Sequence, residues 1–189
     1  MFGTRIHGRG GQGVVTAAEL LSVAAFDSGR HAQAFPSFGS ERTGAPVVAY
    51  CRVSENPIRT REPIVAPDAL VVCDASLLGL PEVLAGLTDG GSVLINSELP
   101  ADRWPVAVDS VRVVTVPATQ IAMQRIGRPV PNVVLLGGFA ALTGVVTLPA
   151  LEEALADRFS GALLEGNRQA ARDAYEAVGP REVSDALAD

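Results

Sequence analysis

Residues 8–13 read Gly8-Arg9-Gly10-Gly11-Gln12-Gly13, a G-x-G-x-x-G segment, between a short run, Thr4-Arg5-Ile6-His7, and a helical repeat that begins at Val14. Strand, glycine loop, helix is the opening of a doubly wound α/β domain, and this placement constrains the fold more than any other feature. Glycines let the backbone turn sharply, and the start of the helix then offers free N–H groups and a partial positive charge to an anion. A plainer reading gives the glycines only a packing role, letting strand and helix close up. Val14, Ala17, Ala18, Leu21, Ala24 and Ala25 share one face of the predicted helix. Val15, Leu20, Val23 and Phe26 lie off that face, so the helix is expected to be buried against the sheet or against a partner, with Gly29 stopping it.

The remainder of the chain completes an α/β pattern. His31 to Phe38 alternates weakly and carries Pro36, which suits an edge strand or an extended loop. Residues 37–44 form a mostly polar connection, Ala45 to Val53 reads as a strand, and three prolines mark residues 54–67 as turns. Ala69 to Cys73 is a strand ending at Asp74, followed by a helix through Leu87; Ser92 to Asn96 and Val111 to Val116 are further strands. Their continuous apolar character predicts cover on both faces, and the stretch from Ala69 to Val116 resembles half of a doubly wound sheet. Helices alone follow: Thr119 to Ile126, Asn132 to Thr143, Leu148 to Phe159 with Thr147 as N-cap and Pro149 in its first turn, and a last amphipathic helix from Leu164 to Val178. The expected fold is a three-layer α/β domain spanning 1–189, with a mostly parallel or mixed sheet, helices on both faces and a helical C-terminal part.

Several classes of function are disfavoured. A Rossmann dinucleotide site needs an acidic residue for the ribose at the end of its second strand, and residues 31–36 (HAQAFP) hold none. All fifteen basic residues are arginine, so Schiff-base chemistry and a Walker-type phosphate lysine are excluded. Up to Arg61, seven arginines stand against four carboxylates, whereas the other eight stand against seventeen. A net charge of −6 argues against nucleic acid as a partner, while the basic first third can still hold a smaller anion. Cys51 and Cys73 sit singly in apolar runs without a CxxC, which predicts buried strand cysteines and no iron–sulfur cluster in this chain. No apolar stretch reaches about 18 residues and no signal peptide is evident, so the expectation is a cytoplasmic chain with no membrane partner.

At this point the residues match a known family. IHGRGGQGVVTAAELL followed by AQAFPSFGSERTGAPVVAYCRVS resembles the gamma subunit of pyruvate:ferredoxin and related 2-oxoacid:acceptor oxidoreductases. The similarity runs on through the strand ending at Asp74, GGSVLINS and ATQIAMQRIGRPVPNVVLLGGFAALTG. The resemblance implies a subunit of an enzyme that converts a 2-oxoacid and coenzyme A to acyl-CoA and carbon dioxide, passing electrons to ferredoxin or another acceptor. It implies alpha and beta partner subunits holding thiamine diphosphate with Mg, iron–sulfur clusters on beta or ferredoxin-like delta subunits, and no cofactor in this chain. The gamma module then packs beside the catalytic core and helps cover the channel where coenzyme A approaches; alone it is expected to be inactive. The GRGGQG and FPSFGSERTGAP variants favour a pyruvate-type or aryl-2-oxoacid enzyme.

Within that frame the candidate ligand or interface residues are Gly8, Arg9, Gly10, Gly11, Gln12 and Gly13 in the loop, and Ser37, Phe38, Gly39, Glu41 and Arg42 in the polar connection; no catalytic or metal-binding residue is assigned. Arg9 and Arg42 suit phosphate or carboxylate, or else ion pairs with a partner subunit or with Glu41. Gln12 caps the loop or reaches a partner, and Phe38 is a natural interface anchor. His7 reads as a satisfied structural histidine, His31 as exposed, and Asp74 either as a functional group at a strand end or as a helix cap. Two other readings stand beside the subunit reading: a stand-alone nucleotide- or CoA-binding protein using Gly8 to Gly13, and a purely structural adaptor.

Overall fold

The computed structural model describes residues 1–37, 44–104, 106 and 110–179. Six strands form one sheet: β1 (Phe2–Arg9), β2 (His31–Pro36), β3 (Pro46–Ser54), β4 (Ala69–Val72), β5 (Ser92–Asn96) and β6 (Arg112–Val116). Their order is β2-β3-β1-β4-β5-β6. β1, β4, β5 and β6 run parallel, whereas β3 is antiparallel to both β1 and β2, so the sheet is mixed. The strand predicted at His31–Phe38 is indeed an edge strand, shortened to end at Pro36.

Helix α1 (Val14–Asp27) buries Val14, Ala17, Ala18, Leu20, Leu21, Ala24 and Ala25 and packs on β1, β2 and β3. It ends as the sequence predicts. Gly29, at φ 81°, donates its N–H to Phe26 O while Arg30 N–H reaches Ala25 O, the paired bonds of a left-handed C-terminal cap. Val23 and Phe26 remain exposed on its outer side.

The expected helix between Asp74 and Leu87 is broken in two. Asp74 caps a 3-10 turn, Ala75–Gly79, and a four-residue helix, α2 (Pro81–Leu84), follows. Pro81 is the cause: it disfavours helical geometry at the preceding residue, and Leu80 is extended at φ −93°, ψ 122°. These two pieces cover the β4–β5–β6 half of one sheet face, where Leu70, Val72, Val93 and Ile95 meet Leu77, Val83 and Leu87, and α2 also reaches Arg5 of β1 through Val83 O.

The other face carries the larger core. α4 (Asn132–Thr143) is buried along its whole length, and packs on β5, β6 and α6 (Gly161–Val178). Gly137 makes the α4–α6 approach possible, since a Cβ there would lie 2.1 Å from the Ala171 carbonyl oxygen. α3 (Ala118–Ile126) and α5 (Leu148–Arg158) complete the layer, the latter with Thr147 Oγ1 accepting from Ala150 N–H as its cap. No helix among the described residues is long and apolar enough to cross a membrane.

Candidate functional site

The glycine loop leaves the C-terminal end of β1, and each glycine in it has a separate reason. A Cβ on Gly8 would sit 2.5 Å from Val14 Cγ2 and 3.0 Å from Cys73 Cβ, so strand, helix and β4 close only over hydrogen. Gly13 has φ 73° and precedes α1 without a side-chain cap, and a Cβ there would overlap Asn132, whose Nδ2 donates to Gly13 O at 3.2 Å. Gly11, at φ 95°, has open space around the missing Cβ. Gly10 N–H donates to Ala45 O at 3.0 Å, tying the loop to the start of β3. Gln12 closes it from within: its N–H donates to Arg9 O, and its Oε1 accepts from Arg9 N–H at 2.7 Å. Of the two roles open to Gln12, the geometry gives the internal cap.

Arg9 has partners that the sequence did not suggest. Its Nε donates to Asp74 Oδ2 at 2.7 Å, its Nη1 to Gly44 O at 3.1 Å and its Nη2 to Ser76 Oγ at 2.9 Å. Asp74 also accepts from Ser76 N–H and Oγ, so one carboxylate both caps the turn and anchors Arg9. Burial alone would raise the Asp74 carboxyl; the Ser76 and Arg9 hydrogen bonds together outweigh it and hold the group below the usual carboxylate range. The bridge joins the C-terminal ends of β1 and β4, from which the chain departs to opposite faces of the sheet. Such a switch point is where open α/β sheets place ligands.

Beside the loop lies a groove of about 290 Å³, lined by Arg9, Gly10, Gly11, Gly13, Val15 and Val47. Among the described residues the N–H groups of Val14, Val15 and Thr16 have no acceptor, as the first turn of a helix requires, and they make this end of α1 attractive to a small anion. A second hollow of about 240 Å³ adjoins Gly13 and is lined in part by Arg128, Asn132, Arg158 and Phe159. A dinucleotide has no conventional seat here. The strand next to β1 is the antiparallel β3, with Pro46 opposite Arg9, where a Rossmann fold places its second parallel strand.

Of the polar connection, Ser37 is exposed and its N–H donates to Val48 O at 2.8 Å. Phe38, Gly39, Glu41 and Arg42 lie outside the described residues. His31 is exposed, as read. His7 is 4% exposed, and burial, then the Arg5 charge, push it down to about 4; it is buried as a structural histidine would be, but its Nε2 has no partner among the described residues, so it is not the satisfied histidine expected from sequence. Burial pushes both Cys51 and Cys73 up to about 12, which removes them as thiolates. Sequence reasoning missed Asn132, which seats α4 on the loop, and the buried strand arginines Arg5 and Arg52. An arginine inside an otherwise apolar strand was the available signal for the latter pair.

Comparison with known proteins identifies the scaffold. The sequence profile described as pyruvate ferredoxin/flavodoxin oxidoreductase matches residues 3–177. The chain is 47% identical over 178 residues to the pyruvate/ketoisovalerate oxidoreductases common subunit gamma of Pyrococcus furiosus, covering 93% of this chain and 96% of that one. The crystal structure of pyruvate oxidoreductase subunit PORC from Thermotoga maritima superposes with a TM-score of 0.83 at 36% identity, covering 93% and 95% of the two chains. The 2-oxoglutarate:ferredoxin oxidoreductase of Magnetococcus marinus shares the fold alone, with 18% identity and a TM-score of 0.77 over 96% of this chain, which spans 32% of that one. With its glycine loop, its mixed sheet and relatives matched almost end to end, the chain belongs to the pyruvate ferredoxin/flavodoxin oxidoreductase family as a gamma-type subunit.

Proposed function

We propose that this chain serves a thiamine-diphosphate-dependent 2-oxoacid:acceptor oxidoreductase, with pyruvate as the favoured substrate, coenzyme A as acyl acceptor and ferredoxin as electron acceptor, and that alpha, beta and ferredoxin-like delta subunits perform the chemistry. The observation that carries the reading is the near end-to-end similarity to subunits whose names specify pyruvate, or pyruvate and ketoisovalerate together. Among the described residues, the two thiols do not suit an iron–sulfur cluster. Among the described residues no group of three or more His, Cys, Asp or Glu side chains is placed to hold a metal ion, and both thiols are buried and held protonated. What the chain offers instead is a stiff glycine loop and the free N–H groups of α1, which we assign to the side from which coenzyme A enters.

Reconstitution tests this. Companion subunits lacking the chain are expected to lose pyruvate- and CoA-dependent ferredoxin reduction and to regain it on addition of the chain. Activity of the isolated chain, or full activity without it, would overturn the reading. Gly11→Val tests the loop: the side chain meets no atom within 4 Å but must accept φ 95°, a strain of about 1–3 kcal/mol, and it crowds the groove. The expected result is a several-fold higher KM for coenzyme A with kcat little changed. An unchanged KM would reduce the glycines to packing. Tight binding of coenzyme A or a nucleotide to the isolated chain in calorimetry would favour the stand-alone reading.

A further inference from the structure

Asn132 is the first residue of α4 and lies 119 positions from the loop it touches. It is 6% exposed, and every later residue of α4 is buried, so its side chain is carried by a helix enclosed along its whole length. Its Nδ2 donates to Gly13 O at 3.2 Å. The same carbonyl accepts the first hydrogen bond of α1, from Ala17 N–H at 2.9 Å. Two donors from two helices therefore fix the plane of the Gly13–Val14 peptide.

A trans peptide carries its C=O and its N–H on opposite sides. With the Gly13 oxygen directed at Ala17 and Asn132, the Val14 N–H points the other way, out of the start of α1. Val14 lines the groove of about 290 Å³ beside the loop, and its N–H has no acceptor among the described residues. Hydrogen bonds to a carbonyl also polarise the peptide and strengthen its N–H as a donor. The contact is steric as well. A Cβ on Gly13 would lie 2.3 Å from Asn132 Nδ2 and 2.7 Å from its Cγ, so the amide reaches this carbonyl only because residue 13 is glycine. No side chain caps α1, and the direction of its first open N–H depends on the peptide that Asn132 holds.

We infer that Asn132 is a positioning residue for the acyl acceptor: from α4 it holds the Gly13–Val14 peptide so that the Val14 N–H meets a phosphate oxygen of coenzyme A in the groove. The inference rests on the assignment of this groove to the coenzyme A side and adds the residue, outside the loop, that sets its affinity.

Steady-state kinetics of the enzyme assembled with its companion subunits, with coenzyme A and pyruvate varied in turn, tests it. Asn132→Leu keeps the shape of the side chain and removes its N–H. Asn132→Ser keeps a polar group too short to reach Gly13 O, and it carries the test if the leucine variant does not fold. Each is expected to raise the KM for coenzyme A about fivefold, the loss of roughly one neutral hydrogen bond, with kcat and the KM for pyruvate within about twofold of wild type. A merely structural asparagine would lower kcat through a smaller active fraction and leave the KM for coenzyme A where it was, and that result overturns the inference. An equal rise in both KM values, the mark of general damage to the assembly, overturns it too. Gly11→Val separates the inference from the reading beneath it. A higher KM for coenzyme A in Gly11→Val, with no change in either Asn132 variant, removes Asn132 alone; no change in all three removes the groove from the coenzyme A side.

Discussion

At the scale of single residues, half-buried Asp74 and buried His7 both make the fold less stable in acid, over different intervals of pH. The Asp74 carboxylate gathers hydrogen bonds from Arg9 and Ser76 and titrates below its ordinary value, so its contribution is complete above the unfolded carboxylate range and is lost as pH falls through the folded value. Asp74→Asn is expected to cost about 1–2 kcal/mol at neutral pH, with the difference from wild type closing in acid; urea titrations at about pH 7 and about pH 3 measure it. His7 acts in the same direction over a higher interval. It is buried neutral, and its folded value of about 4 lies below the unfolded 6.5, so wild type binds fewer protons folded than unfolded and loses stability between about 6.5 and about 4 on acidification. His7→Gln is expected to flatten that interval, by up to about 3 kcal/mol, in thermal melts run across it. A wild type whose stability is level from about pH 6.5 to about pH 4 would contradict the burial of a neutral imidazole. Both groups were visible in the sequence as residues, but not as networks. Arg9 and Asp74 are 65 positions apart, and only the parallel pairing of β1 with β4 brings their strand ends together.

At the scale of elements, local signals decided most of what could be read. Periodicity placed α1 and α4, Gly29 ended the one, and Thr147 began α5. The misreading fell where two local signals competed: the apolar spacing from Leu77 to Leu87 suggests a helix, but Pro81 acts on Leu80 and wins. Strand order could not be read, because which strand stands beside β1 depends on pairings that no local window contains. Nor could helix contact be read from the Gly137-Gly138 pair, which in sequence looks like a weakness in α4. In the fold, Gly137 lies against the Ala171 carbonyl and Gly138 faces Leu94 and Val116. Gly137→Ala therefore forces two helix backbones apart, and a loss of about 2–3 kcal/mol is expected despite the better helix propensity of alanine. Denaturant unfolding checks it; a stabilised variant would show that α4 and α6 are not in backbone contact.

For the molecule as a whole, the uneven distribution of charge acquires a consequence once the fold is known. Of the seven arginines up to Arg61, Arg5 and Arg52 are buried in the sheet face, whereas Arg59 and Arg61 are exposed. Salt acts on these sets unequally. Exposed charges attract an approaching acidic partner over distances comparable to the Debye length of about 10 Å at 0.1 M, so their effect belongs to association and is screened. Charges desolvated in a finished interface are screened little and govern dissociation. Raising ionic strength from about 0.05 M to about 0.5 M is expected to slow assembly with the companion subunits several-fold while changing the dissociation rate less than about twofold. Arg59→Gln combined with Arg61→Gln should abolish most of the salt dependence of association and leave dissociation unchanged. Stopped-flow association and dilution-induced release separate the two rates. Equal salt sensitivity in both would mean that the exposed arginines act within the finished contact rather than on approach.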